Sequence, residues 1–154
     1  MNMLKLSRLF LVATVFGFLM QPVMAEDFAT RDEAVKDVKE AVADLKSKGA
    51  EGVYHEISNP AGKYTKKDLY LVAYDLAGKC LAHGQNAALI GKDLTALKDI
   101  DGKFFVKERM ELAQKQDSFW QNYKYMNPVT KSVSPKESYC EKSGEVIVCG
   151  GVYK

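Results

Sequence analysis

The run Leu69-Tyr70-Leu71-Val72-Ala73-Tyr74-Asp75, followed by Leu76-Ala77-Gly78-Lys79 and then Cys80-Leu81-Ala82-His83, decides the fold. Successive side chains of a strand point to opposite faces. Here both sets are apolar: Tyr70, Val72 and Tyr74 on one face, Leu69, Leu71 and Ala73 on the other. A strand over 68–75 is therefore largely covered on both sides. Asp75 to Lys79 has the composition of a hairpin turn and leads into a second strand, Cys80 to His83.

Upstream, Thr30-Arg31-Asp32-Glu33 is a capping box, in which hydroxyl and carboxylate each satisfy a free backbone N–H. Val35, Val38, Val42 and Leu45 then recur at helical spacing, with Ala34 and Ala41 beside them. Lysines, aspartates and Glu40 take the other face, and Gly49 suits a left-handed stop. Residues 50–67 read as irregular, with a dense turn cluster from Ser58 to Lys63. Downstream, 84–102 is a long glycine- and aspartate-rich connection. A second helix is expected over 103–116, capped by Asp101, with Phe105, Val106, Met110 and Ala113 as its buried stripe. Phe119 to Met126 alternates aromatic and polar residues until Asn127-Pro128 breaks it. Segments 131–142 and 145–153 form a hairpin joined at Ser143-Gly144. Five antiparallel strands with segregated helices make an α+β plan.

The chain has 154 residues, 47% hydrophobic and 27% charged, which suits one ordinary globular domain. Residues 1–25 have the parts of a secretory signal: Lys5 and Arg8, an apolar run from Leu9 to Met20, then Gln21-Pro22 and a compact Val23-Met24-Ala25. As a helix that run spans about 18 Å, short of the roughly 30 Å of a bilayer core. Cleavage after Ala25 is expected, leaving a domain over 26–154 that is periplasmic or secreted; an uncleaved anchor is the rival reading. Without 1–25 the chain is formally neutral, so nothing gathers nucleic acid or anionic lipid from a distance.

Recognisable reaction chemistry is scarce. His55 and His83 are the only histidines, and no nucleophile elbow accompanies them. His55-Glu56 begins like a zinc-protease helix, but Asn59 stands where the second histidine belongs. Asp99, Asp101, Gly102 and Glu108 approach a calcium loop, yet Leu97 would hold its first ligand position. No haem motif or phosphate-cradling loop is present, so we expect no enzyme, cofactor or metal. Cys140 and Cys149 fall on the arms of the last hairpin and are candidates for one disulfide that leaves Cys80 alone. The alternative, which we favour from the residues, is three small buried hydrophobes.

The more informative set is polar and aromatic. His83 ends a strand, Gly84 turns the chain, and Asn86 adds a donor and an acceptor. Tyr70 and Tyr74 share a face; Trp120 lies near Tyr123 and Tyr125, which project from the other side of their strand. Phenols, an imidazole and an amide are costly to bury without partners, and a small polar ligand, ordered water or one another would satisfy them.

Several motifs carry a resemblance. Residues 69–78, Leu81-Ala82-His83-Gly84-Gln85-Asn86, Leu89-Ile90-Gly91-Lys92-Asp93-Leu94 and Asp99-Ile100-Asp101-Gly102-Lys103 resemble the single Cache domain family. So do residues 120–128, Pro135-Lys136-Glu137-Ser138-Tyr139 and the closing 149–154. The resemblance implies a PAS-like fold: a long N-terminal helix on a five-stranded antiparallel sheet, with a small-molecule pocket between the sheet and the connection after its second strand. Such domains are extracytoplasmic sensors, often for small carboxylates such as acetate, propionate, pyruvate or lactate. Most are joined to a membrane helix and a chemoreceptor, kinase or cyclase output. This chain ends at Lys154 soon after the last strand, so we expect a stand-alone binding module with a membrane receptor or kinase as a candidate partner. The alternatives are an envelope interaction protein and an anchored accessory subunit that retains 1–25. Carried onto these motifs, the expected pocket residues are Tyr74, His83, Trp120, Tyr123 and Lys136, then Tyr70, Asn86 and Tyr125. No arginine stands inside the motifs, which leaves an uncharged or amine ligand open beside a carboxylate.

Overall fold

The computed structural model describes residues 28–154; the expected signal and its cleavage point lie outside them. Helix α1 spans Arg31–Lys48, and both halves of the Thr30–Glu33 capping box are formed. Gly49 takes φ +83° after it, but the chain then makes a second helix, α2, Ala50–Ile57. That helix corrects the irregular reading of 50–67. It is held by Val53 and Ile57 burying one short face, a signal too brief to stand out beside the turn cluster. The two-residue strand β1 follows at Thr65–Lys66.

Strands β2 (Leu69–Asp75) and β3 (Cys80–His83) form the expected hairpin. The connection then crosses a short 3-10 turn at Ala87–Leu89 to α3, Phe105–Ala113. Asp101 does not cap α3. Instead the Asp99 carboxylate accepts from the amides of Asp101, Lys103 and Lys124, which pins the connection to the sheet margin. Strands β4 (Ser118–Met126), β5 (Val133–Ser143) and β6 (Val146–Tyr153) complete a sheet of order β1-β2-β6-β5-β4, with β3 pairing β2. All pairings are antiparallel, and the two-residue β1 is an addition to the five strands expected.

Opposite parities of β2 enter different cores, as its two apolar faces require. Leu71 and Ala73 pack with Val38, Ala41 and Val42 of α1 and Val148 of β6. Tyr70, Val72 and Tyr74 pack with Phe105, Val106 and Met110 of α3. A Cβ on Gly150 would run into Leu71 and Val38, so the bare backbone there is what lets α1 lie close to the sheet. Asp37, read from sequence as part of the solvated face of α1, is buried instead and pairs with Lys66 at 2.8 Å.

Cys140 and Cys149 are direct cross-strand partners on β5 and β6, and their sulfurs are bonded at 2.07 Å. The structure thus departs from the favoured reading of three free hydrophobes, and only Cys80 is a free buried thiol among the described residues. Closing so short a loop restricts the unfolded chain by about 2–3 kcal/mol. We expect the double variant Cys140→Ala/Cys149→Ala to lose that much in urea unfolding. Coincident curves would show that hairpin pairing alone supplies the order.

Candidate functional site

The site lies on the α3 side of the sheet. Parity brings Tyr70 and Tyr74 of β2, Tyr123 and Tyr125 of β4 and Lys136 of β5 to this one face. Tyr123 and Lys136 are direct cross-strand partners, and Tyr153 of β6 stands opposite Lys136 on its other side. His83 arrives from the end of β3, paired with Val72. A Cβ on Gly84 would lie 3.0 Å from Tyr70 Cβ and 3.2 Å from the Ile57 carbonyl, so glycine is needed there for space.

Two hollows adjoin. An outer cleft of about 240 Å3 is bordered by Tyr70, His83, Asn86, Tyr125, Pro128 and Lys131, among others. Behind it lies an inner chamber of about 10 Å3, walled by Tyr70, Tyr74, His83, Tyr123 and Tyr125, with Leu89, Leu94 and Leu97 of the connection as its lid. That is room for about one water molecule. Of the residues expected from sequence, Tyr70, His83 and Tyr125 border both hollows, Tyr74 and Tyr123 the inner one and Asn86 the outer one. Trp120 is elsewhere. It has the opposite parity on β4, packs on Tyr139 beneath α1, and carries the Arg31 guanidinium 3.9 Å above its ring.

Lys136 borders neither hollow; it is buried behind the Tyr70 ring that walls both. Its ammonium sits 3.8 Å over the Tyr70 ring and donates to the Tyr153 hydroxyl at 3.2 Å, which in turn donates to the Met126 carbonyl. A Cβ on Gly151 would overlap Lys136 Cε and Ser138 Oγ, so the lysine crosses β6 where no side chain stands in its way. Burial, with Arg109 adding to it, lowers the Lys136 pKa to about 8.

Arg109 is the residue that sequence reasoning missed. It is 1% exposed, Nε donates to Gln121 Oε1 at 3.0 Å, and Nη1 donates to the Tyr74 hydroxyl at 3.0 Å. Gln121 is itself buried and tied to the Phe105 carbonyl at 2.8 Å. Arg109 Nη2 is buried without a hydrogen-bond partner. The signal was present: Arg109 lies four residues after Phe105 and four before Ala113, in the middle of the apolar stripe of α3. Among the described residues, neither Arg109 nor Lys136 forms a salt bridge with a carboxylate; the buried Asp68 carboxylate, which accepts from the Ala29 amide, favours the charged lysine only from a distance.

The remaining groups answer to that field. His83 Nδ1 accepts from the amides of Gln85 and Asn86 at 3.1 and 3.0 Å, which fixes the neutral imidazole with its proton on Nε2. Burial, followed by the charges of Lys136 and Arg109, lowers the His83 pKa to about 4. Burial pushes the Tyr123 phenol up, but Lys136 and Arg109 together outweigh it and leave the group below its ordinary value. Charge, donors and enclosure therefore favour an anion over a cation or a neutral guest. The described residues hold no cluster of three or more metal-ligating side chains.

Comparison with known proteins bears on the family and the fold. The family profile described as Single Cache domain 2 matches residues 11–153. Methyl-accepting chemotaxis protein McpP of Pseudomonas putida is 34% identical over 88 residues, covering 56% of this chain and 16% of that protein. The chain thus spans about a sixth of the length of this curated relative. A solved methyl-accepting chemotaxis protein from Vibrio parahaemolyticus superposes with a TM-score of 0.68 at 22% identity, over 79% of this chain and 86% of that one. A Cache chemosensory domain whose structure addresses carboxylic acid recognition gives 0.66 at 23% identity, over 79% and 91%. At such identity these structures show a shared fold alone, an α+β architecture built on an antiparallel sheet. The profile covers nearly all of the sequence, and the fold it predicts is the one formed: the chain belongs to the Single Cache domain 2 family.

Proposed function

We propose that this domain binds a small organic acid, with the carboxylate directed towards Arg109 and Lys136. One observation carries the reading: a buried guanidinium nitrogen lacks an acceptor on the same face as a buried ammonium, with no carboxylate bonded to either. A buried cation without a partner is unfavourable by several kcal/mol, and an anionic guest removes that penalty through charge-assisted hydrogen bonds. His83 Nε2–H and the Tyr123 hydroxyl are further donors at the wall. The chamber is almost filled, so a guest enters by displacing the leucines of the lid, and a short carbon chain requires the least displacement. The solved Cache relative with a carboxylic acid theme supports the same ligand class.

Thermal shift with paired acids and amides tests this. Propionate at millimolar concentration raises the melting temperature, because a guest that binds only the folded state stabilises it by mass action; propionamide leaves it unchanged. An equal response to both, or to neither, overturns the carboxylate reading.

A pH dependence follows from Lys136. The free site loses the lysine proton near pH 8, whereas a bound carboxylate favours the protonated form. Affinity is therefore expected to weaken as pH rises from 7 to 9.5, with proton uptake on binding around pH 8 in calorimetry. A flat profile would remove the ammonium from the ligand contacts.

The location and output are part of the same proposal. The family, and the composition of residues 1–25, support an extracytoplasmic sensor module acting with a membrane receptor or kinase. It acts either as an exported binding module or as a subunit anchored through 1–25. N-terminal sequencing of the exported protein separates the two.

A further inference from the structure

The outer cleft and the inner chamber share three bordering residues, Tyr70, His83 and Tyr125, so these rings are the partition between them. Two of the three are fastened. His83 is held by two amide hydrogen bonds and stacks on Tyr70 at 5.3 Å, and Tyr70 lies under the Lys136 ammonium. Tyr125 is not. Among the described residues its hydroxyl makes no hydrogen bond, and its ring meets Phe105 edge-on at 5.7 Å and Tyr123 at 6.1 Å. It stands on β4, the last strand of the sheet, beside Met126 and close to the rim of the cleft. Turning this ring breaks fewer contacts than moving either of its companions.

We propose that Tyr125 sets the length of the ligand: its ring closes the tail end of the chamber against the outer cleft, admitting short carboxylates and rejecting long ones. This rests on the carboxylate reading above and adds a specificity-determining residue to it. Without the ring, the chamber of about 10 Å3 opens into the cleft of about 240 Å3, where Met126, Pro128 and Tyr70 offer apolar surface to further methylene groups. Each methylene so buried strengthens binding roughly fourfold.

The test is calorimetric titration of the straight-chain acids from acetate to octanoate into the parent, Tyr125→Phe, Tyr125→Ala and Tyr125→Val. Valine keeps a good strand former at the position if alanine impairs folding. The parent and the phenylalanine variant are expected to lose affinity with chain length. The alanine and valine variants should gain roughly fourfold per added methylene up to hexanoate. If the two small variants keep the parental length profile while the parent binds the short acids, Tyr125 is not the limit and the carboxylate reading stands without it. If the folded parent binds none of the acids, the carboxylate reading falls and the length proposal with it.

Discussion

Lys136→Met is expected to melt several degrees above the parent at pH 7 and to lose its response to short carboxylates. Burial brings the lysine pKa from the ordinary value of about 10.5 to about 8, which corresponds to about 3 kcal/mol against holding the charge in the folded state. Below pH 8 the ammonium is charged in both folded and unfolded chains, so the whole penalty is present at neutral pH. Methionine has a similar reach and no charge. The gain is reduced by the lost contacts to the Tyr70 face and the Tyr153 hydroxyl, leaving a net stabilisation of about 1–3 kcal/mol. Binding moves the other way, because one charge-assisted hydrogen bond to the guest disappears, a loss of about 1.5–3 kcal/mol or roughly tenfold to a hundredfold in affinity. Calorimetry with and without propionate reads both quantities from one pair of samples. A variant less stable than its parent would mean that the native fold compensates the ammonium by itself, and the anion argument would lose its basis.

The second large effect is an acid-side loss of stability centred on His83. The folded protein binds a proton there only near pH 4, whereas the unfolded chain binds one near 6.5. Between those values the unfolded state holds more protons, so stability declines as pH falls from 6.5 towards 4, by about 3 kcal/mol across the window. The geometry gives the same sign, since protonating Nδ1 forfeits the bonds from the Gln85 and Asn86 amides. Urea unfolding at successive pH values should therefore show a steeper decline for the parent than for His83→Gln between pH 6.5 and 5. Parallel curves for the two proteins would assign the acid sensitivity to other groups.

Local rules read most of the fold. The Thr30–Glu33 box begins α1, the two apolar parities of 69–75 enter two different cores, and Ser143-Gly144 turns the last hairpin with Gly144 at φ +59°. What escaped did so for physical reasons. The eight residues of α2 hold too few turns to display a period, and their stability comes from α1 and β3 beside them. Arg109 lies between the quoted motifs, and arginine rarely occupies an apolar stripe, although its spacing put it there. Trp120 entered the expected pocket through the resemblance, although its parity already set it apart: residues 120 and 123 cannot face the same side of one regular strand. Tyr153 stood in the closing motif but outside the expected pocket, yet it is the hydroxyl through which Lys136 reaches the Met126 carbonyl.

At Gly151 the missing side chain is as informative as the residues around it. Since a methyl group there would overlap the stem of Lys136, a single-carbon addition on β6 would dislodge the ammonium while leaving every charged residue in the gene untouched. The position is a steric dial on the electrostatics of the chamber. It offers experimenters a way to vary where the charge sits independently of how much charge there is.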